Sequence, residues 1–530
     1  MTLHGKSLIA GRLSQHHTRG FKPVSPLDNK PLEPEFHECA LEEVDRALLH
    51  AEEAFPICRG IAPEARATFL ETIAEEILAL GDELPQRAHR ETGLPLDRLA
   101  GERARTVNQL RLFAEVVREG SWVDARIDTA LPDRLPVPRP DLRRMLVPLG
   151  PVAVFGSSNF PLAFSVSGGD TASALAAGNP VIVKAHRGHP GTSEFVAGAV
   201  ARAAIRCSFP DGVFSMLHGA GHAIGVALVR HPLTRAAGFT GSRVAGRALF
   251  DAAAGRPEPI PVFAEMSSLN PLFLLPGALR ERRAQIVEGL KTSVNMGVGQ
   301  FCTKPGLVFG LGGPDFEAFA SEFARAMASV PPGTMLHAGI CEAYHESLER
   351  MEKIPGVISL GMSDREPERD KTHGEAVVFA TDAESFLQNR ELHEEVFGPY
   401  TLLVTARSWG ELETAARHLE GQLTATLHAQ PEELGAAADL LALLERKAGR
   451  VVVNGFPTGV EVCASMNHGG PYPATTDVRF TSVGTAAMQR FVRPVCFQNF
   501  PGDVLPPELQ NENPRRLMRL VNGQLTRESL

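Results

Sequence analysis

The sequence lacks the features that would place it in a membrane or outside the cell. It has no apolar run long enough to span a bilayer, and residues 1–12 lack the apolar core of a secretory signal. Its seven cysteines have irregular spacing and form no CxxC pair, so the sequence predicts neither a zinc site nor a disulfide framework. Because free thiols persist in reducing compartments, we expect a cytoplasmic protein that does not bind a membrane.

An excess of basic residues is also missing. The formal net charge is −9, and basic clusters such as Arg280–Arg283 are short and interrupted. Proteins that follow a phosphate backbone usually carry a basic stripe, so nucleic acid is not the expected partner. The chain has 530 residues, of which 43% are hydrophobic, so it can bury a large core. That length favours two or more domains.

Two kinds of pattern succeed one another along the chain. Up to about residue 145, apolar residues recur at helical spacing and predict helices over Leu41–Phe55, Pro63–Leu84 and Leu96–Glu119. A proline-rich connector over Leu131–Pro140 follows, which could be an edge ribbon or a linker. Beyond Met145, short apolar runs alternate with helices, as in parallel sheets that are buried on both faces.

The apolar runs predict two series of strands in an α/β protein, with a domain boundary near Ser267–Pro271. The first series comprises Val152–Phe155, Val181–Lys184, Val213–Leu217, Ala237–Phe239 and Val262–Ala264. The second comprises Leu272–Leu275, Leu307–Phe309, Ala376–Phe379, Leu402–Val404 and Val451–Asn454, with a helix over Ala278–Asn295.

Two residues stand out as candidates for covalent chemistry. Cys302 follows a glycine-rich turn, where a thiol can be exposed and, next to positive charge, ionised. A free cysteine is more commonly a small buried hydrophobe, and the residue by itself leaves both interpretations open. Glu265 ends a buried strand, at the edge where α/β active sites form, and could be a general base or merely a strand-end acid.

Three loops offer polar groups for a ligand. Asn159 follows the strand Val152–Phe155 and could donate to an oxyanion, although Ser, Asn and Pro there also suit a plain turn. Gly241 and Ser242 precede a helix whose free N–H groups could bind phosphate. Lys184 and Arg187 follow another strand and could contact a nucleotide or simply be surface cations.

Read together, these segments resemble the aldehyde dehydrogenase superfamily over most of the chain. The ordered set is far more specific than any one of its members. It runs from Asn159-Phe-Pro through Val183-Lys184, Phe239-Thr-Gly-Ser242, Glu265 and Gly299-Gln-Phe-Cys302 to Glu395-Val-Phe397-Gly-Pro399.

The resemblance implies a role for each matching residue. Cys302 would be the nucleophile, Glu265 the general base, and Asn159 an oxyanion donor together with the backbone N–H of Cys302. The cofactor contacts would be Lys184, Arg187, Gly241, Ser242, Glu395 and Phe397, and no metal is implied.

The family fold consists of two parallel-sheet domains and a bridging ribbon that builds dimers or tetramers. On this basis we expect a cofactor domain at 1–130 and 150–266 and a catalytic domain at 267–465. The ribbon would comprise 131–149 and 466–500, and residues 501–530 would be a C-terminal tail.

The chain departs from the family pattern at two places. Many NAD-preferring members have a glutamate three residues after the lysine, where this chain has Arg187. Arginine can pair with a 2′-phosphate that glutamate would repel, so we expect NADP, with NAD as the alternative. Met266-Ser267-Ser268 replaces the usual glycine pair, but the Asn270-Pro271 that follows is kept.

The C-terminal portion of the chain resembles the α-ketoglutarate semialdehyde (2,5-dioxopentanoate) dehydrogenases. The segments concerned are Asn454–Cys463, His468–Thr476, Thr481–Ala487 and Phe491–Cys496. NADP-dependent fatty aldehyde dehydrogenases share parts of them, so a small oxo-acid aldehyde and an apolar aldehyde both stay open.

Two other classes of protein are also considered. A cysteine hydrolase or acyltransferase would not explain Lys184, Ser242 and Glu395 together, and no histidine is evident as a partner for Cys302, His468 being assigned to the substrate side. A non-catalytic binding protein is disfavoured by the intact Cys302, Glu265 and Asn159.

Overall fold

Parallel strands form two seven-stranded sheets in the computed structural model, which describes residues 2–368 and 371–530. In the first sheet, five parallel strands are extended at one edge by two antiparallel ones. Its strand order is Val262–Glu265, Ala236–Thr240, Val152–Phe155, Val181–Lys184, Phe214–Leu217, Leu8–Ile9 and Arg12–Leu13.

The second sheet is parallel apart from one antiparallel edge strand, Ile358–Met362. Its strand order is Ile358–Met362, Val377–Asp382, Tyr400–Ala406, Leu307–Leu311, Leu272–Leu274, Gln422–His428 and Ala448–Val453. The chain passes from the first sheet to the second between Glu265 and Leu272, so a short connection joins the two halves of the molecule.

A third sheet joins distant parts of the chain. Leu142–Pro148 pairs antiparallel with Val492–Gln498, and Arg126–Asp128 links it to Arg519–Val521 and Gln524–Thr526. The segment 501–530 therefore adds two strands to this sheet. Two small two-stranded sheets pair His17–Phe21 with Phe36–Cys39 and Gly333–Thr334 with His373–Gly374.

Helices cover the two large sheets, and apolar side chains fill the space between the layers. The α-helices are Leu41–Gly60, Pro63–Ala79, Glu83–Thr92, Leu96–Glu119, Gly169–Ala177, Pro190–Arg206, Ala223–Arg230, Arg243–Ala254, Pro276–Asn295, Pro314–Ala328, Ala338–Glu352, Ala383–Gln388, Trp409–His418, Pro431–Ala436 and Ala438–Lys447. Short 3-10 helices lie at Ser121–Val123, Asp211–Val213, Arg390–His393, Thr485–Phe491, Gly502–Val504 and Pro507–Leu509. Among the described residues, no helix is both long and apolar enough to cross a bilayer.

The α/β class is confirmed, and the structure differs from the predicted elements at several places, two of which lie in the buried core. The stretch predicted as one helix over Pro63–Leu84 is two, because the first helix ends at Ala79 and the next begins at Glu83. The strand Gln422–His428 was not predicted, although every residue in it is buried. Its alternating Gln and Thr residues interrupt the apolar run that marks the other buried strands. These polar side chains are buried because they bond to neighbouring segments: Gln422 Oε1 accepts from the N–H of Leu269 at 2.7 Å.

Candidate active site

Cys302 lies on a loop whose shape depends on a run of left-handed residues. The helix Pro276–Asn295 ends, and then Gly297, Val298 and Gly299 all have positive φ. A β-branched residue such as Val298 rarely adopts this conformation, so the loop stores backbone strain beside the thiol. A Cβ on Gly299 would lie 2.1 Å from the carbonyl oxygen of Gly398, so this glycine permits close approach of the loop that carries Glu395 and Phe397.

Side-chain amides hold the strained loop in place. Asn270 Nδ2 donates to the carbonyl oxygen of Cys302 at 2.8 Å and to that of Lys304 at 3.0 Å. Gln300 Oε1 accepts from the N–H of Leu336 at 3.0 Å. The half-buried Cys302 side chain therefore has a fixed position at the junction of the two sheets.

Three reactive side chains converge at this junction. Cys302 Sγ lies 3.4 Å from His468 Nε2, and the same nitrogen lies 3.0 Å from Glu265 Oε1. Ser482 Oγ donates to Glu265 Oε2 at 2.7 Å. His468 and Glu265 are only 1% and 3% exposed, so these contacts are shielded from bulk water.

His468 corrects the sequence analysis, which found no histidine partner for Cys302. The sequence separation of 166 residues concealed the contact. Only pairing of the last third of the chain with the first sheet brings the groups together, through the bridge between Glu265 and Thr475. The lack of a paired histidine is therefore no argument against a cysteine hydrolase.

The electrostatics of the three groups favour a protonated thiol beside a charged carboxylate. Burial raises the pKa of Cys302 well above its ordinary value, and the charge of Glu265 raises it further. Burial also raises the pKa of Glu265, but contacts from His468, Ser482 and Cys302 outweigh that effect and lower it overall. The carboxylate is therefore ready to accept a proton, and the thiol must lose one before it can attack.

Asn159 lies next to the nucleophile loop, as expected for a residue that stabilises charge there. Asn159 Nδ2 donates to the carbonyl oxygen of Gln300 at 3.0 Å. The backbone carbonyl oxygen of Asn159 accepts from Arg98 Nη2 at 2.7 Å. The Arg98 guanidinium lies over the rings of Phe160 and Phe301, at 5.0 and 4.8 Å from their centroids. These contacts fix the amide, and an amide nitrogen has a second N–H that can donate.

Four of the predicted cofactor residues, the basic surface of Lys184, Arg187, Gly241 and Ser242, follow strands of the first sheet. Lys184 ends its strand, and exposed Arg187 follows. Burial first, and then the charge of Arg187, lower the pKa of Lys184 to about 8. Ser242 caps the helix Arg243–Ala254, accepting from the N–H of Ala245 at 3.3 Å. Two adjacent cations and a helix N-terminus suit the phosphates of a dinucleotide.

Glu395 and Phe397 lie on the loop that contacts Gly299, on the nucleophile side of the molecule. Burial raises the pKa of Glu395, while Lys304 and hydrogen bonds from Ser267 and Ser268 oppose that rise. Lys304 donates to the carbonyl oxygens of Val396 and Tyr400 at 2.9 and 3.0 Å, which fixes the loop. The loop thus connects the nucleophile to the region that a nicotinamide would enter.

The sulfur, imidazole and carboxylate could also hold a metal ion. The ligand atoms of Glu265, Cys302 and His468 all lie within 4.8 Å of one another. Zinc favours such a mixture of thiolate, imidazole and carboxylate. An ion there would occupy the nucleophile, so it would inhibit covalent chemistry at this thiol.

The fold and the site define a class of nucleotide-dependent enzymes with a cysteine at the junction of two parallel sheets. The aldehyde dehydrogenase family model matches residues 13–490, and the chain belongs to that family. The protein is therefore an oxidoreductase that oxidises aldehydes, and its family uses NAD(P).

Two curated relatives resemble the chain over its full length. Alpha-ketoglutaric semialdehyde dehydrogenase 2 of Azospirillum brasilense is 51% identical, covering 99% of this chain and 100% of its own. Alpha-ketoglutaric semialdehyde dehydrogenase of Acinetobacter baylyi is 46% identical and covers 99% of both chains. Lactaldehyde dehydrogenase from Escherichia coli has the same fold, with a TM-score of 0.81, 20% identity and coverage of 93% of this chain and 98% of its own.

Proposed function

We propose that the chain oxidises a short anionic aldehyde, 2,5-dioxopentanoate, to the dicarboxylate 2-oxoglutarate through a thioester on Cys302. The observation that carries the chemistry is the convergence of Cys302, Glu265 and His468 within 4.8 Å. The substrate assignment is supported by the names and full-length similarity of the two relatives at 51% and 46% identity.

Cys302 attacks the aldehyde carbon as a thiolate, after its proton has passed to solvent. His468 Nε2 lies 3.4 Å from the sulfur and 3.0 Å from the carboxylate, so with a proton on Nε2 it would stabilise negative charge on either group. The new C–S bond turns the carbonyl oxygen into an oxyanion. The N–H of Cys302 and Asn159 Nδ2 would stabilise it, and losing one such donor typically lowers kcat by about 10²–10³.

The basic surface suits NADP. Lys184, Arg187, Ser242 and Gly241 would hold its ribose and phosphates, and Glu395 and Phe397 its nicotinamide half. When bound, the nicotinamide supplies the acceptor for the hydride that leaves the carbon attached to Cys302. The lowered pKa of Lys184 beside Arg187 supports a 2′-phosphate, because an anion there would relieve the repulsion between the two cations.

Glu265 then acts as the base for hydrolysis. It removes a proton from water, which attacks the thioester carbonyl and releases the carboxylic acid and the free thiol. The lowered pKa of Glu265 keeps the carboxylate charged at neutral pH, so it is available for this step. Ser482 and His468 orient its two oxygens.

Assembly into dimers or tetramers through the third sheet belongs to the same proposal. Val492–Gln498 lies at one edge of this sheet and Gln524–Thr526 at the other, and apolar side chains of the second edge strand and of the connector 131–140 are exposed. They are Leu135, Val137 and Leu525, which are 88%, 62% and 72% exposed. Exposed apolar groups beside a sheet edge favour contact with a second copy.

Initial rates with both cofactors test the substrate and the cofactor together. The purified chain should form reduced nicotinamide fastest with 2,5-dioxopentanoate and NADP, compared with pentanal and decanal. A higher kcat/KM for decanal would instead support the fatty aldehyde alternative. Equal or better rates with NAD would contradict the NADP assignment.

Replacement of the nucleophile tests the chemistry. Cys302→Ala should abolish both turnover and the burst of reduced nicotinamide, because no thioester can form. Cys496→Ala is the matched control, since this exposed thiol lies outside the site and its loss should leave both unchanged. Full turnover by Cys302→Ala would refute the covalent mechanism.

A further inference from the structure

Arg105 is a part-buried cation beside the nucleophile that the mechanism above does not use. It lies on the helix Leu96–Glu119, and its charge interacts with Cys302 and, more weakly, with Glu265. Two of its guanidinium nitrogens, Nε and Nη2, are buried and have no hydrogen-bond partner among the described residues. A buried donor without a partner costs about 1–3 kcal/mol of stability, so a ligand that accepted from both nitrogens would remove that cost.

The two vacant nitrogens form one edge of the guanidinium. The N–H of Nε and one N–H of Nη2 point in parallel from that edge, which matches the two oxygens of a carboxylate. The guanidinium carbon lies 5.6 Å from the ring centroid of Phe164, so one face rests on an aromatic surface. The aromatic contact therefore orients the guanidinium plane of Arg105, while the Nε and Nη2 edge remains available to an acceptor.

The charge of Arg105 also interacts with two other acids, Glu102 and Glu461, but neither carboxylate makes a hydrogen bond to its Nε or Nη2 in the described structure. Glu102, three residues earlier on the same helix, accepts the N–H groups of Leu162 and Ala163 at 2.8 and 2.9 Å. Its burial raises the pKa of that carboxyl, which disfavours the charged form. Glu102 thus serves the Asn159 loop, and Arg105 keeps its charge for another anion.

A second arginine near Cys302 shows the contrast. Arg450 also interacts with the charge on Cys302, but it donates from Nη1 to the carbonyl oxygen of Gly459 at 3.2 Å and from Nη2 to that of Pro457. It therefore holds the loop 457–459 and adds positive charge to the site. Only Arg105 of the two presents a vacant paired edge in the described structure.

We propose that Arg105 binds the carboxylate of the substrate through Nε and Nη2 and so selects short aldehydes with an anionic end. This assignment rests on the proposed function, because it names the residue that would distinguish 2,5-dioxopentanoate from an uncharged aldehyde. The carboxylate would replace water on a buried, charged edge and would place the aldehyde carbon at Cys302.

Kinetics of Arg105→Gln against two aldehydes test the assignment. With 2,5-dioxopentanoate, kcat/KM should fall about 10- to 100-fold, the loss typical of a charge-assisted hydrogen bond. With pentanal, kcat/KM should fall clearly less, because only the effect of the lost charge on the Cys302 thiol remains. The matched control is Arg111→Gln, which removes the same charge from an exposed position on the same helix.

Alkylation of Cys302 gives a second readout that does not require turnover. Iodoacetate is an anion, whereas iodoacetamide is neutral and has nearly the same shape. The ratio of their rates cancels any change in thiol ionisation, so Arg105→Gln should lower the iodoacetate-to-iodoacetamide ratio about tenfold. Arg111→Gln should leave the ratio unchanged.

The outcomes separate this inference from the proposed function. If the unchanged chain does not prefer 2,5-dioxopentanoate to pentanal, the substrate proposal fails. If it does prefer it and Arg105→Gln slows both aldehydes equally with an unchanged alkylation ratio, Arg105 acts only through the thiol or the fold. That second result would overturn the inference and leave the proposed function standing.

Discussion

Replacing Glu265 by Gln should separate the two halves of the reaction and change the thiol in a predictable direction. The amide keeps the size of the side chain but cannot accept a proton from water. Loss of a positioned general base typically lowers a rate by about 10²–10⁴, so steady turnover should fall by that factor. The first turnover should still occur, and a burst of reduced nicotinamide should precede the slow phase.

The same substitution removes the negative charge that raises the pKa of Cys302. The two groups lie within 4.8 Å of one another, where an effective dielectric constant of about 20 gives a repulsion of about 3 kcal/mol between unit charges. His468 shields part of this. The pKa of Cys302 should therefore fall, and alkylation by neutral iodoacetamide at pH 7 should become about tenfold faster although turnover is slower.

Rapid mixing for the burst and labelling followed by mass spectrometry for the thiol measure the two effects. Glu258→Gln is the control, since this acid is 80% exposed and lies near the start of the strand that ends at Glu265. If Glu265→Gln abolishes the burst and slows alkylation, the carboxylate is needed to activate the thiol and the reasoning about charge is wrong.

Three further predictions concern the cofactor surface, the nucleophile loop and metal inhibition. Arg187→Glu should lower the ratio of kcat/KM with NADP to that with NAD about 10- to 100-fold. NADP affinity should weaken above about pH 8, where Lys184 loses its proton. In Arg187→Glu the pH at which affinity weakens should be higher, because the like charge beside Lys184 is gone. An unchanged cofactor ratio and an unchanged pH midpoint would refute the assignment. Gly299→Ala should lower the free energy of unfolding by more than the cost of placing a side chain in the left-handed region, about 1–2 kcal/mol, because its Cβ would overlap the Gly398 carbonyl. Chemical denaturation measures this against the control Gly523→Ala, whose position has positive φ but open space. Equal losses in the two variants would contradict the overlap. Zn²⁺ should inhibit turnover and slow labelling of Cys302, reversibly with a chelator, whereas Mg²⁺ should not; inhibition of equal strength in His468→Gln would exclude the three-ligand site.

The strand and helix pattern was largely readable from the sequence, because buried parallel strands are short apolar runs. The helix Leu96–Glu119 and the strands Val152–Phe155 and Val181–Lys184 were predicted with the bounds that the structure has. The strand Gln422–His428 was not, since its buried polar residues serve contacts with loops distant in sequence. Local periodicity does not report such contacts.

The sequence by itself determined the family, the order of the motifs and the position of Cys302, Glu265 and Asn159 within them. Those conclusions depend on residue types at short spacing, which the chain displays directly. Only the tertiary structure decided that His468 touches Cys302, across 166 residues of sequence, and that the open edge of Arg105 has no hydrogen-bond partner among the described residues. Sequence spacing does not show either, because burial, hydrogen-bond partners and local charge are set by the packing of the folded chain.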